Sequence, residues 1–360
     1  MISINKIKLS IKNWINTKFL QKNRLISGLN GFGIYLAAVI VALIINSSFI
    51  AWAGGNIISS YETMIQVSLG SAAGLGQTLN KCTPLLLAGI AVAVGNRGRV
   101  SNIGSDGQIY MGAIFATGTG LLLVPLNMPI YVLSPLVLLA SIIGGAFWCG
   151  IPGVLKARFG TSELFTTIML LFMANFITDY FASGPWRAPE VPDSISRPIA
   201  TSGFLPKFFG GAHVGIIIAI VVAIAIYFLI EKSVLGYKIR TMGDNPDAAK
   251  LAGINIPLYQ FGLLALSGAI AGLAGGIEIA GLDHRLMTGL SPSYGLMAVL
   301  VASLGKNKPI GVIISAFLFA ILMVGSDSLQ RSINLPSSAV MVFQAVVYLS
   351  ILLARTIREQ

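Results

Sequence analysis

The sequence contains few charged residues for its length. Only 10% of its 360 residues are Asp, Glu, Lys or Arg, while 55% are hydrophobic. Soluble domains usually carry about a quarter charged residues, so water cannot be the main solvent of this chain. Long apolar runs such as residues 214–230 show no alternation of polar and apolar positions, which excludes the strands of a membrane barrel. The composition therefore predicts an all-α, polytopic integral membrane protein.

Residues that hold metals or perform covalent chemistry are also scarce. The two cysteines, Cys82 and Cys149, lack the spacing of a metal site or redox pair, and there are only two histidines, His213 and His284. The HExxH and GxSxG motifs are absent. The Gly-rich residues 70–78 lack the lysine of a phosphate-binding loop, so any ATP would have to be hydrolysed by a partner. We therefore expect no catalytic residues, no metal and no cofactor.

Ten apolar segments are candidate membrane spans. A helix needs about 20 residues to cross the apolar core of a bilayer. Two of the ten, 82–96 and 291–304, are shorter and contain proline and glycine, so we expect interrupted helices of the kind that often line a transport path. The ten segments are 31–50, 82–96, 109–124, 133–151, 163–182, 213–231, 258–281, 291–304, 310–326 and 337–354.

The basic residues predict the orientation of the chain. The 24 Lys and Arg exceed the 13 Asp and Glu, and they lie in short clusters between apolar segments, as in cytoplasmic loops rather than nucleic-acid surfaces. Ten spans place all these clusters in the cytoplasm together with both termini. We expect a basic cytoplasmic segment over 1–30 and a transmembrane domain over 31–360. The exterior would then contain 51–81, 183–212, 282–290 and 327–336.

The same topology bears on internal symmetry. The second and seventh spans would cross the membrane in opposite directions, which is the arrangement of an inverted repeat. No internal sequence match supports such a repeat.

Polar residues beside or within apolar segments mark a candidate solute path. Residues 95–108 combine glycines with Asn102, Asp106 and Gln108 just before the third span. Two interpretations stay open: a plain loop, or a partly unwound start of the span whose polar groups face a cavity. Asn175 is the most central polar residue of the fifth span, where it either lines the path or bonds to a neighbouring helix.

The loop 231–257 contains the signals of a short helix. Asn245 can cap a helix that begins at Pro246, and Gly253 can end it. Ala248 and Ala249 are small enough to let another protein approach closely. Such a helix is either a simple connection or a docking element for a cytoplasmic partner.

This loop resembles the coupling segment of ABC importer permeases of the branched-chain amino acid, simple sugar and nucleoside group. Three further stretches, 102–108, 166–170 and 267–275, also match, so the resemblance extends from the second span to the C-terminus. The first of these stretches is typical of the nucleoside and sugar branch, although Leu171 stands where that branch commonly has Asn. The loop supplies the family pattern with Gly236, Arg240, Gly243, Asn245, Ala248, Ala249, Gly253 and Ile254.

The resemblance implies a permease subunit that forms half of a membrane pathway and performs no covalent chemistry. It implies ATP-binding cassette ATPase subunits, an extracytoplasmic lipoprotein that delivers the solute, a second, paralogous permease, and a place in the bacterial plasma membrane. A nucleoside or simple sugar would pass Asn102, Asp106, Gln108 and Asn175. The ATPase-coupling residues would be Arg240, Gly243, Asp244, Asn245, Ala248, Ala249, Lys250 and Gly253.

Two other functions have to be separated from this one. A secondary transporter driven by an ion gradient also contains interrupted helices and intramembrane carboxylates, and its uptake would survive loss of the ATPase but collapse with an uncoupler. A membrane enzyme needs a nucleophile, a metal or an acid–base pair, which this sequence lacks. Turnover of a lipid or peptide by the purified chain would support the enzyme.

Overall fold

A computed structural model describes residues 37–52, 54–332 and 336–359. The basic segment 1–30 lies outside the described residues, so the prediction for it stays a prediction. Within the described ranges, extended pairing is limited to isolated bridges such as Arg187 with Ser196, and the predicted all-α class is confirmed. The helices are α1 Ala37–Trp52, α2 Ile57–Leu69, α3 Ala72–Arg97, α4 Ser105–Leu122, α5 Ile130–Phe159, α6 Glu163–Ser183, α7 Gly215–Tyr227, α8 Val234–Asp244, α9 Pro246–Leu251, α10 Ile256–Glu278, α11 Tyr294–Leu304, α12 Pro309–Ser332 and α13 Ser337–Glu359.

Two of the long helices continue as a π-helical turn. Residues Phe228–Lys232 extend α7, and residues Ile279–Asp283 extend α10. Short 3-10 turns lie at Val124–Leu126 and Thr201–Gly203. The long loop between α6 and α7 is otherwise irregular.

Six helices of the described part are long and apolar enough to cross a membrane. A seventh span results if α1 and α2 are two parts of one broken span. The apolar helices α11 and Ser338–Ala354 are shorter, so the predicted number of ten spans stays a prediction. The six are Ala72–Arg97, Ile130–Phe159, Glu163–Ser183, Gly215–Lys232, Ile256–Asp283 and Pro309–Ser332.

The prediction of a short, interrupted second span is wrong. Residues 82–96 belong to α3, which runs for 26 residues and accommodates Pro84 inside the helix. Hydropathy falls before Cys82 because the residues there are polar, yet the backbone is already helical. Much of the segment 51–81, expected as a loop, is therefore helical too.

A glycine of α3 allows close packing and does not break the helix. A Cβ on Gly89 would lie 2.8 Å from Val312 Cγ1 and 2.9 Å from Val301 Cγ1. Absence of a side chain at this position lets α11 and α12 approach α3. Hydropathy alone cannot separate this packing role from an interruption.

The helix α11 is short, as predicted for this segment. It has 11 residues, which rise about 16 Å, or roughly half of an apolar bilayer core. Ser293, just before it, has a left-handed φ of 67°, so the chain turns sharply into the helix. The N-terminus of α11 consequently lies inside the helix bundle, where its unpaired N–H groups need acceptors.

The helix α10 is central to the larger compact unit, Tyr61–Ser328, where it packs against α3, α4 and α5. Its glycines permit the crossings. A Cβ on Gly268 would lie 2.3 Å from Gly145 O of α5, and a Cβ on Gly275 would lie 1.9 Å from Ile109 O of α4. Small residues let helix backbones approach closely in membranes. The stretch 267–275 that resembles the family is thus a helix-packing element.

A smaller unit combines the described residues before 61 with those after 328. In this unit the buried Asn46 Nδ2 donates a hydrogen bond to Phe343 O at 3.1 Å, which links α1 to α13. The polar side chain of an apolar helix thereby finds an acceptor on the neighbouring backbone.

Candidate functional site

The short helix predicted in the loop 231–257 is α9, and it begins at the residue expected from the sequence. Asn245 follows α8 and caps α9: its Oδ1 accepts hydrogen bonds from Asp247 N and Ala248 N, both at 3.1 Å. Pro246 occupies the first turn, where a missing N–H costs little because no intrahelical acceptor exists there. The predicted start of the short helix is confirmed.

Gly253 ends α9, also as predicted. Its φ of +76° lies in the left-handed region, which glycine adopts without strain. Gly253 N donates to Lys250 O at 3.1 Å, and Ile254 N donates to Ala249 O at 3.0 Å. Together these bonds form a Schellman motif, which satisfies carbonyl groups at the helix end. Caps within the loop itself therefore hold both ends of α9.

The two alanines of α9 differ in burial. Ala249 is fully buried, whereas Ala248, Lys250 and the preceding Asp244 are exposed. Leu251 is 91% exposed, the largest fraction among the exposed large hydrophobic residues of the described part. Burying a leucine side chain contributes about 1.5–3 kcal/mol relative to leaving it exposed. A docking partner would gain most from Leu251, while Ala249 supports α9 from within the chain.

The helix α8 is fixed to the ends of two long helices. Glu231, at the end of the turn that extends α7, forms ion pairs with Arg97 of α3 and with Arg240 of α8. Arg240 also donates to Ile230 O. Gly243 lies directly against α3, because a Cβ there would be 2.2 Å from Arg97 O. A displacement of α9 would therefore act through α8 on the ends of α3 and α7.

Asn102 and Gln108 bond to each other. Asn102 Nδ2 donates to Gln108 Oε1 at 2.7 Å, and Gln108 Nε2 donates to Asn102 Oδ1 at 2.9 Å. Asn102 Nδ2 also donates to Ser267 Oγ at 2.8 Å, and Ser267 Oγ donates to Ala91 O at 2.7 Å. The buried amide pair thus ties the nonhelical residues 98–104 to α3 and α10.

Asp106 of α4 caps the short helix α11. Its Oδ1 accepts from Gly295 N at 2.7 Å and from Ser291 Oγ at 2.5 Å, and its Oδ2 accepts from Leu296 N at 3.3 Å. A carboxylate at a helix N-terminus is stabilised by the unpaired N–H groups and the helix dipole. Gly295 makes room, since a Cβ there would lie 2.3 Å from Asp106 N. Asp106 therefore fixes the N-terminus of α11 inside the bundle.

Two glycines bring α4 against α6. A Cβ on Gly104 would lie 2.3 Å from Thr167 O, and a Cβ on Gly107 would lie 2.7 Å from Leu171 Cα. Two of the stretches that resemble the family are therefore in contact. Leu171, where the family branch commonly has Asn, takes part in this backbone contact.

Asn175 lies one turn beyond Leu171 on α6 and is partly exposed. Its Oδ1 atom is buried and has no hydrogen-bond partner among the described residues, whereas the nearby Thr178 Oγ1 donates to Ala174 O at 2.8 Å. An unpaired buried acceptor costs about 1–3 kcal/mol. Among the four predicted solute-path residues, Asn175 is the one whose side chain leaves a buried atom unpaired.

A second group of polar residues in the bundle was missed by the sequence analysis. This polar cluster comprises Lys81, Glu278, Asp283 and Tyr294. Lys81 Nζ donates to Tyr294 OH at 3.1 Å, and Lys81 also interacts electrostatically with Glu278 and Asp283. Glu278 is 1% exposed, and its Oε1 has no hydrogen-bond partner within the part of the chain that the structure describes. Ionisable residues in membrane spans are costly and are therefore candidates for function.

One residue of the polar cluster could have been found from the sequence. Glu278 is a lone carboxylate near the end of an apolar, Gly-rich helix, and its charge alone could have marked it. Its neighbours could not be found in this way, because 213 positions separate Lys81 from Tyr294. Among the described residues, no group of three or more His, Cys, Asp or Glu side chains is arranged to hold a metal ion.

Known proteins resemble this chain over most of its length. The family described as branched-chain amino acid transport system, permease component, matches residues 74–354. The glucose ABC transporter permease protein TsgB13 of Haloferax volcanii is 30% identical over 92% of this chain and 89% of that protein. The guanosine ABC transporter permease protein NupP of Bacillus subtilis is 30% identical over 90% of this chain and 93% of that protein. The nucleoside ABC transporter permease protein NupB of Lactococcus lactis is 29% identical over 87% of this chain and 88% of that protein.

These relatives are transport subunits and not enzymes, and they are not transporters driven by an ion gradient. An ABC permease works with ATPase and solute-binding partners, and the six long apolar helices agree with a chain that crosses the membrane several times. The chain therefore belongs to the family of ABC transporter permeases described as the permease component of branched-chain amino acid transport systems.

Proposed function

We propose that this permease imports a nucleoside or a simple sugar. The observation that carries the proposal is the similarity, at about 30% identity over nearly the whole chain, to permeases named for guanosine, nucleosides and glucose. Nucleosides and simple sugars are neutral polar molecules that share hydroxyl groups. A path for them needs hydrogen-bonding groups inside the bundle and no reactive side chain.

ATP hydrolysis in separate subunits drives the import through α9. Exposure of Leu251, Ala248 and Lys250 on one side of a helix capped at both ends supports this role. Other coupling residues support α9 from within the permease. Gly243 and Arg240 hold α8 against the ends of α3 and α7, and the buried Ala249 packs α9 against the rest of the chain.

The solute path runs beside α4, α6 and α11. Asn175 Oδ1, buried here, contacts the solute when the pathway opens around α6, and it then accepts a hydrogen bond from a hydroxyl group without giving up a bond within the described part of the protein. Asn102, Gln108 and Asp106 shape the wall of the path, because their hydrogen bonds within the protein fix the start of α4 and the N-terminus of α11. The polar cluster around Glu278 contributes a second polar segment of the wall.

The remaining subunits follow the usual arrangement of the family. A second, paralogous permease completes the pathway, and an extracytoplasmic lipoprotein delivers the solute. Both termini lie in the cytoplasm of a bacterial cell, and the chain resides in the plasma membrane. The short basic clusters between apolar segments support this orientation. Cysteine-accessibility labelling tests it: position 193 should react from outside and position 244 from inside, and the reverse would overturn the orientation.

Uptake by the reconstituted system tests the proposed function. The permease, its partner permease, the ATPase and the binding protein are placed in liposomes, and uptake of radiolabelled guanosine, uridine and glucose is measured. We expect saturable uptake of one of these solutes that requires ATP and resists an uncoupler. Uptake that continues without the ATPase and stops with the uncoupler would contradict the proposal, as would ATP-driven uptake restricted to branched-chain amino acids.

A further inference from the structure

A cavity of about 600 Å³ opens where the turn extending α7 faces the connection between α11 and α12. It lies at the ends of two candidate spans, Gly215–Lys232 and Pro309–Ser332, and thus at the level where a membrane meets water. The basic clusters predict that this is the cytoplasmic side. Tyr227, which lines the cavity, is a residue type common at that interface.

The charged residues that line the cavity are three lysines and one glutamate. The glutamate, Glu231, is already occupied by Arg97 and Arg240. Lys232, Lys306 and Lys308 have no carboxylate within 4.0 Å among the described residues. With the acidic group neutralised, the lining has an excess of positive charge that suits an anion.

The two lysines after α11 lie on a turn that is held in place. Lys306 and Asn307 both have left-handed φ values, 54° and 53°. Asn307 Oδ1 accepts from Asn96 Nδ2 at 3.0 Å, and Asn307 O accepts from Arg97 Nε at 3.2 Å. The turn is therefore bonded to the end of α3, and it presents Lys306 and Lys308 at a defined place beside the cavity.

An apolar stripe leads from the cavity along α12. Ile310 lines the cavity and is 59% exposed, and Ile314 and Leu318 continue at successive turns of the helix with 59% and 49% exposure. Positions four residues apart lie on one face of a helix. The lysines therefore lie next to an exposed apolar stripe that continues along α12 into the membrane.

We propose that this cavity binds the headgroup of an anionic phospholipid, with its phosphate between Lys232, Lys306 and Lys308. An acyl chain lies along Ile310, Ile314 and Leu318. Basic pockets between membrane helices on the cytoplasmic side bind such headgroups, and a free phosphate compound would leave the apolar stripe unused. Glu231, which lines the same cavity, is paired with Arg97 and Arg240 and so leaves the three lysines to the phosphate.

Lipid binding to the purified full-length permease in nonionic detergent tests the proposal. Dioleoyl phosphatidylglycerol is titrated and its bound fraction is followed by native mass spectrometry, with dioleoyl phosphatidylcholine and glycerol 3-phosphate in parallel. The test variant is K306Q/K308Q. The control, R99Q/R158Q, removes two exposed basic residues from other loops of the same predicted side, and K306R/K308R keeps the charge.

We expect phosphatidylglycerol to bind about 30-fold more weakly to K306Q/K308Q, or about fivefold for each lysine. The control variant and K306R/K308R should bind as the parent does, and phosphatidylcholine and glycerol 3-phosphate should bind weakly. Equal losses in both glutamine double variants would overturn the proposal in favour of general surface charge. Tight binding of glycerol 3-phosphate would show a site for a free phosphate compound. Unchanged binding of phosphatidylglycerol to K306Q/K308Q would also overturn the proposal.

Discussion

The helix α9, proposed to couple the permease to its ATPase, and the helix α11 are both short, yet they are held in different ways. α9 is capped by Asn245 and Gly253, residues at its own ends. α11 is capped by Asp106, whose bond to Gly295 spans 189 positions of the sequence. One helix is therefore formed locally and has an exposed outer side, while the other is fixed by contacts within the bundle. We expect changes in the bundle to reduce stability and changes on the outer side of α9 to uncouple the permease without unfolding it.

The largest loss of stability should come from the helix crossing at Gly275. A methyl group there would lie 1.9 Å from Ile109 O, so Gly275→Ala must push α10 and α4 apart. We expect the free energy of unfolding to fall by about 1–3 kcal/mol. On the same helix Gly262 has open space, and Gly262→Ala should be neutral or stabilising by up to about 1 kcal/mol. The measurement is unfolding by denaturant in detergent. Equal free energies of unfolding for the two variants would show that the close packing at Gly275 does not stabilise the bundle.

A loss of stability of similar size should follow from removing the cap of α11. Asp106→Ala leaves three hydrogen-bond donors unpaired, and we expect a loss of about 1.5–3 kcal/mol together with lost uptake. Asp106→Asn keeps an acceptor oxygen, so its free energy of unfolding should fall by less than that of Asp106→Ala. The exposed Asp193 provides the control, because Asp193→Ala should change the free energy of unfolding by no more than about 0.5 kcal/mol. An Asp106→Ala variant as stable as the parent would show that α11 needs no anchor.

A small effect on stability but a clear effect on transport is expected at Asn175. Asn175→Leu removes an oxygen that has no partner in the described ranges, so we expect the fold to lose little stability. If the oxygen contacts the solute, the half-saturation concentration for the transported nucleoside or sugar rises about two- to tenfold. Thr178→Val on the same helix removes a hydroxyl that bonds only to Ala174 O, and its transport should be unchanged. Parent-like kinetics of Asn175→Leu for every tested solute would limit this residue to packing.

The smallest effect should result from reversing the exposed charge of α9. Lys250→Glu should leave the thermal midpoint unchanged and weaken ATPase association by about 0–1 kcal/mol, as for an exposed ion pair. Titration of the ATPase at low and high salt measures this. A loss of tenfold or more that persists at high salt would place Lys250 at the centre of docking.

The contrast between the two helices also explains what could be predicted from the sequence. Asn245, Pro246 and Gly253 are local signals, so the sequence predicts α9 with its bounds. The contacts of Gly275, Asp106 and the polar cluster join residues on different helices, and a single sequence does not pair them. Even within α9, the sequence could not tell which alanine faces a partner. Ala249 is buried, so Ala249→Trp would disturb the seat of α9 itself as well as docking.

Leu251 allows the most direct test of coupling through α9. It is 91% exposed and contributes little to the fold, so Leu251→Asp should insert normally and unfold at the parent's temperature. The measurement is co-purification of the ATPase with this variant, with Leu251→Met as the control that keeps an apolar side chain. We predict at least about tenfold weaker association and no ATP-driven uptake for Leu251→Asp, and parent-like values for Leu251→Met. Full association and uptake by Leu251→Asp would contradict the account and leave α9 as a simple connection.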